Sequence, residues 1–206
     1  FPQAPGKLKF LLVAVDYFTK WPEVKPLATI SGKHVITFVW EQIVCRYGLP
    51  GEMVTDNGKQ FANKPFSSWC SELGIKQVFS SVAYPQSNGQ VERMNRSIVE
   101  GIKARLGRYG KKWVDELPSV LWAIRTMEKT SHQRTPYSLV FESEAVIPAE
   151  IGVSSGRSAR QDAQRNQNEI LLNLDLLEES RDQASIREAR YKKKLEAYYN
   201  TRVKKE

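Results

Sequence analysis

The chain has 206 residues, 41% hydrophobic and 26% charged, enough for one core of ordinary size with an extension. Lysine and arginine outnumber the acids 31 to 23, and the resulting net charge of +8 suits a phosphate-rich partner as well as plain solubility. Two cysteines and two histidines, none at close metal-ligand spacing, exclude a zinc finger and a disulfide framework and point to an intracellular, reducing setting; no apolar run nears the roughly 20 residues a membrane helix needs.

Residues 1–7, FPQAPGK, are turn-rich and read as a loop. Residues 8–17 are a nearly continuous apolar run, the pattern of a strand buried on both faces, and residues 21–27 return as an antiparallel partner. Ser31 caps a helix running to about Arg46, which Gly48 and Pro50 end. GEMVTD is a short strand stopping at Asp56. Residues 61–73 form one helix halted by Gly74, IKQVFSS is a strand and AYPQSNG a loop. A long helix follows from about Ser87 to Arg105, with Val91, Met94, Ile98 and Ile102 on one stripe. Residues 111–127 are helical with a restart at Pro118, and Thr135 caps a helix over 136–141. In this region Trp113, Leu117, Leu121 and Ile124 recur at helical spacing, as a core stripe or a dimer face.

Strands alternating with helices indicate an α/β domain over residues 1–150. Residues 151–160 are a polar, small-residue linker. Residues 161–206 read as a long amphipathic helical extension, its apolar positions Ile170, Leu174, Leu177, Ala184, Tyr191, Leu195 and Tyr198 interrupted by Arg181 and Glu188. Such a helix suits docking or dimer packing rather than catalysis.

Asp56 ends a strand and precedes Asn57-Gly58, and the three residue types together suit a simple turn. Strand ends in α/β sheets also project side chains into the crevice where ligands bind, and a carboxylate there can hold Mg²⁺. Glu92, in the first turns of the long helix, suits a surface position paired with Arg96 at i+4. Taken together the two carboxylates say more. The 35 residues 57–91 separate them, and the helix presents Glu92, Asn95, Arg96 and Lys103 broadly on its polar side, beside the basic residues Arg93, Arg105 and Arg108. Carboxylates for metal beside cations and amides for phosphate are what phosphodiester chemistry requires.

TDNGKQF, the 35-residue gap and YPQSNGQVERMNR resemble the second half of the D,D-35-E signature of retroviral and retrotransposon integrases. The flanking KFLLVAVDYFTKW, RYGLP, ELPSVLWAIRT, RTPYSLVF and SEAVIPAEIG are similar to plant gypsy-class retrotransposon integrases, and the likeness covers nearly the whole chain. It implies a ribonuclease-H-like fold, a five-stranded mixed sheet flanked by helices, and a divalent-metal-dependent polynucleotidyl transferase that processes DNA 3′ ends and joins them to a target. Two Mg²⁺ or Mn²⁺ ions would sit on two aspartates and a glutamate. By this match Asp56 is the second aspartate and Glu92 the glutamate, both catalytic and metal-binding. DNA contacts are implied for Lys59, for Tyr84, Ser87 and Asn88 of the loop, and for Arg93, Asn95, Arg96 and Lys103. Family members often carry lysine where this chain has Val99. The partners implied are retrotransposon-end and target DNA and a second copy of the chain, in the nucleus, with no membrane and no small-molecule substrate.

Asp16 is the tempting first aspartate. In the family pattern, however, that residue lies in an earlier strand, and residues 8–17 match the second strand, which runs antiparallel to the first. Asp16 is therefore expected to be a hairpin residue, with the first strand and its aspartate ahead of Phe1. On that expectation a catalytically inactive module that binds nucleic acid and dimerises is the alternative to an active transferase. A different ribonuclease-H-like nuclease is a third reading.

Overall fold

The computed structural model describes residues 1–80, 89–109, 112–141, 143, 145 and 163–203. The expected linker over 151–160 and the boundary at 150 lie outside them. The chain divides into two compact units, Phe1–Tyr17 with Pro22–Ile124, and Phe18–Trp21 with Arg125–Glu206.

In the first unit, strand β1 (Phe10–Val15) pairs antiparallel with β2 (Pro22–Leu27), in register from Phe10 opposite Leu27 to Val15 opposite Pro22. Among the described residues β2 pairs on one side alone, which suits Pro22 and Pro26, residues with no amide hydrogen to donate. Strand β3 (Glu52–Thr55) pairs parallel with β4 (Lys76–Phe79). The described strands thus form two pairs, and β1 and β3 are not hydrogen-bonded to each other.

Side chains alternate across β1 with a period of two. Leu11, Val13 and Val15 pack on a core made by Met94, Ile98 and Ile102 of α5 (Gly89–Tyr109) and Trp113, Leu117, Val120, Leu121 and Ile124 of α6 (Trp113–Thr126). Leu12 and Ala14 pack on the opposite core, with Val35, Phe38 and Val39 of α1 (Gly32–Val39) and Phe66 and Cys70 of α4 (Phe66–Glu72). The stripe Trp113, Leu117, Leu121 and Ile124 is therefore core within a single chain, each residue no more than 8% exposed.

Several boundaries differ from expectation for identifiable reasons. The segment after Ser31, whose hydroxyl caps the helix at the His34 amide, is α1, a π-helical turn (Trp40–Val44) and a short α2 (Cys45–Tyr47), ended by Gly48 at φ +90°. The single helix expected over 61–73 is two, α3 (Lys59–Ala62) and α4, because Pro65 has no amide to donate and restricts the residue before it. Pro118, expected to restart a helix, sits inside the uninterrupted α6. It removes one backbone bond, and the burial of Leu117, Val120 and Leu121 around it holds the helix together. The opening residues, expected as a loop, are pinned: Phe1 stacks on Trp113 at 4.6 Å, Trp113 Nε1 donates to the Pro2 carbonyl at 2.8 Å, and Ala4 is buried.

The second unit holds α7 (Pro136–Phe141), capped by the Thr135 hydroxyl at the Ser138 amide, and α8 (Ala163–Val203). Trp21 packs on Tyr137 and Phe141, with the Arg125 guanidinium 4.4 Å from its ring centroid. Glu188, which breaks the apolar stripe in sequence, is buried and accepts from Lys20 Nζ at 2.7 Å and Lys192 Nζ at 3.1 Å. Arg181, the other break, donates to the Leu139 carbonyl. Both polar residues thus carry docking contacts. Burial would raise the Glu188 carboxyl, but the hydrogen bonds from Lys20 and Lys192 outweigh it and hold it below its ordinary value.

His132 is fully buried, and neither ring nitrogen has a hydrogen-bond partner among the described residues. Burial, then the nearby charge of Lys20, pushes its pKa below the ordinary 6.5, with Glu188 opposing and Lys129 adding.

Two outcomes follow. A Cβ on Gly101 would stand 2.7 Å from Val120 Cγ1, at the contact of α5 with α6. Gly101→Ala should lower stability in urea by about 1–3 kcal/mol, as overpacking does, and adding Val120→Ala should recover part of the loss. For His132, the unfolded chain takes up the proton below about pH 6.5 and the folded chain resists it. The thermal midpoint should then fall as pH drops from about 6.5 toward 5, and His132→Leu should flatten that part of the profile.

Candidate metal and nucleic-acid site

Asp56 follows the last residue of β3 and is exposed. Its Oδ1 accepts from the Gly58 amide at 2.8 Å, closing a turn that the side chain itself holds. Gly58 makes this possible, since a Cβ there would stand 2.7 Å from that oxygen. The turn feeds directly into α3, whose first residue is Lys59. The Gln77 amide braces the same region, donating to Thr55 Oγ1 at 3.3 Å and to the Phe61 carbonyl at 3.0 Å. Gln77 was not anticipated. A polar residue in the middle of an apolar strand was the available signal.

Glu92 lies in the first turn of α5 and is exposed. Gln90, in the same turn, donates to the Tyr17 carbonyl at 3.1 Å, so the start of α5 is tied to the chain just beyond β1. The expected Glu92–Arg96 ion pair does not form among the described residues. At about 100° per residue, Arg96 and Lys103 lie within about 40° of Glu92 around the helix, opposite the buried Met94, Ile98 and Ile102. Arg93 lies about 100° to one side and Asn95 about 60° to the other, and all are exposed. Arg105 is committed elsewhere, to the buried carboxylate of Glu116. Tyr84, Ser87 and Asn88 lie outside the described residues.

Asp16 follows the end of β1 and is exposed. Among the described residues no three of His, Cys, Asp and Glu come together as a metal site would require, so Asp16, Asp56 and Glu92 do not form such a group. Asp56 and Glu92 suit the oxygen chemistry of Mg²⁺, but two side chains leave most of its six positions to other donors.

Residues 2–85 match the family model of the integrase core domain. Solved structures of that class share the architecture. A chain of the simian T-cell lymphotropic virus intasome, solved in complex with the PP2A regulatory subunit B56 gamma, aligns at TM-score 0.58 and 24% identity over 67% of this chain and 50% of its own. The HTLV-2 integrase catalytic core domain, solved in complex with magnesium in a trimeric form, aligns at 0.53 and 22% over 62% of this chain and 82% of its own. The fold is that of an integrase catalytic core. By sequence the chain is similar to retroviral Gag-Pol polyproteins, among them that of feline leukemia virus, 39% identical over 134 residues. That alignment takes in 65% of this chain and 8% of the polyprotein, so the chain spans under a tenth of this relative's length.

The Asx turn sets an expectation for stability. Asp56→Ala loses the acceptor for the Gly58 amide and should cost about 0.5–1.5 kcal/mol in urea unfolding, whereas Asp56→Asn keeps an oxygen in place and should stay within about 0.5 kcal/mol of the unsubstituted chain.

Proposed function

We propose that this chain is part of the catalytic core of a retrotransposon integrase of the plant gypsy class, acting on retrotransposon ends and chromosomal DNA in the nucleus. What supports the reading is the 35-residue spacing in sequence between Asp56, on a strand-end turn, and Glu92, in the first turn of α5, within a fold of the integrase-core type. The sequence similarity to retroviral Gag-Pol polyproteins supports it.

In this reading Asp56 and Glu92 hold divalent metal, which when bound supplies an activated oxygen nucleophile and steadies the leaving oxygen. The Gly58 amide fixes one Asp56 oxygen, and Gln77 braces the strand end, so the carboxylate is presented with little freedom. Arg96 and Lys103 run beside Glu92 for about 16 Å along α5, a track for a phosphodiester backbone, with Arg93 and Asn95 at its flanks and Lys59 at the Asp56 turn. The loop residues Tyr84, Ser87 and Asn88 belong to the same DNA-contacting set. Self-association accords with the trimeric form of the HTLV-2 core domain.

The test is Mg²⁺-dependent joining of a DNA duplex end to a target, using this chain. Asp56→Asn and Glu92→Gln should each reduce joining by at least about a hundredfold, the scale for losing one group that stabilises a transition state. They should leave duplex binding in EDTA near that of the unsubstituted chain. DNA binding with no metal-dependent joining would select the inactive binding module. Cleavage of an RNA–DNA hybrid without end joining would select a nuclease of the same fold.

A further inference from the structure

The octapeptide Arg187-Glu188-Ala189-Arg190-Tyr191-Lys192-Lys193-Lys194 of α8 carries five basic residues and one acid. The structure separates its charges. Glu188, its one acid, is buried and accepts from Lys20 and Lys192, which takes Lys192 out of the run along with it. Arg187, Arg190, Lys193 and Lys194 remain, and none has an ion-pair partner among the described residues. Each lies about 100° or more around the helix from Glu188; Arg190, Lys193 and Lys194 are exposed and Arg187 half-buried.

Four uncompensated cations within about 10 Å of helix repel one another. Arg187 and Arg190, Arg190 and Lys193, and Arg190 and Lys194 are spaced three or four residues apart, where like charges destabilise a helix. An anion laid along this face would relieve all three repulsions. We propose that this face of α8 is a second nucleic-acid contact, one that grips the phosphodiester backbone of duplex DNA without reading its sequence.

Duplex DNA carries one negative charge per about 1.7 Å of axis, so a 10 Å track meets several phosphates at once. A helix that binds a lipid surface instead sinks an apolar face into it. Here the inward side of α8, with Ala184 and Glu188, is already occupied by protein. The contact requires no metal and is independent of Asp56 and Glu92.

The test is fluorescence anisotropy of a labelled duplex of about 20 base pairs, with the full chain, in EDTA, from 50 to 200 mM NaCl. EDTA separates this contact from the metal-dependent chemistry above, so failure of one does not imply failure of the other. In the variant Arg187→Gln, Arg190→Gln, Lys193→Gln, Lys194→Gln, the slope of log affinity against log salt should flatten by about 3 to 4, and affinity at 50 mM NaCl should fall at least about tenfold. Helix content and thermal midpoint should be unchanged or raised, because the substitutions remove repulsion and keep good helix formers. Affinity and salt slope equal to those of the unsubstituted chain would overturn the proposal. So would a parallel titration in which the four substitutions abolish capture by phosphatidylserine-containing vesicles and leave duplex binding intact.

Discussion

Strand β1 must satisfy two cores at once, and the first unit depends on that constraint. Leu11, Val13 and Val15 face α5 and α6, and Leu12 and Ala14 face α1 and α4. A shift of one residue in its register would exchange these sets, and each core would receive side chains shaped for the other. The antiparallel pairing with β2 locks that register. The Gln90 contact to the Tyr17 carbonyl then ties the start of α5, and with it Glu92, to the chain just past the same strand. The placement of one candidate ligand is thus a consequence of β1 packing.

Asp56 is placed by a different and more local device. An Asx turn closed on Gly58, with Gln77 bracing the strand end behind it, orients a carboxylate that is otherwise exposed to water. The turn reading and the metal-ligand reading of this residue are compatible, since one oxygen holds the turn and a carboxylate has two. The same economy governs the cations. Arg105 and Lys192 look in sequence like members of basic runs, but each answers a buried acid, Glu116 and Glu188 respectively. Leaving those acids unpaired would cost more than the pairs return as surface charges. The cations that stay exposed are therefore a selected subset of the basic residues.

Much of the fold was legible because its signals are local. The apolar run of β1, the cap at Ser31, the stops at Gly48 and Gly74 and the stripe Met94, Ile98, Ile102 each involve neighbours in sequence or one helical period. The errors arose where local rules compete. Pro65 broke a helix that periodicity would have continued, whereas Pro118 did not, because buried leucines and valines flank it on α6. Glu188 and Arg181 looked like interruptions of an amphipathic stripe because pattern rules count every polar residue as facing water. Their partners, Lys20 and Leu139, lie far away along the chain.

By itself the sequence determined the α/β character, the order of elements and the two carboxylates at a strand end and a helix start, since these depend on residue type and spacing. Only the tertiary structure decided that the α6 stripe is core and that Glu92 and Arg96 stay unpaired with each other. It also decided that Gln77 braces the Asp56 turn and which lysines and arginines are spent on buried acids. Apart from the exposed Glu92 and Arg96, each of these depends on which distant groups share a volume from which water is excluded, and there an unpaired charge or an exposed apolar side chain is too costly to keep.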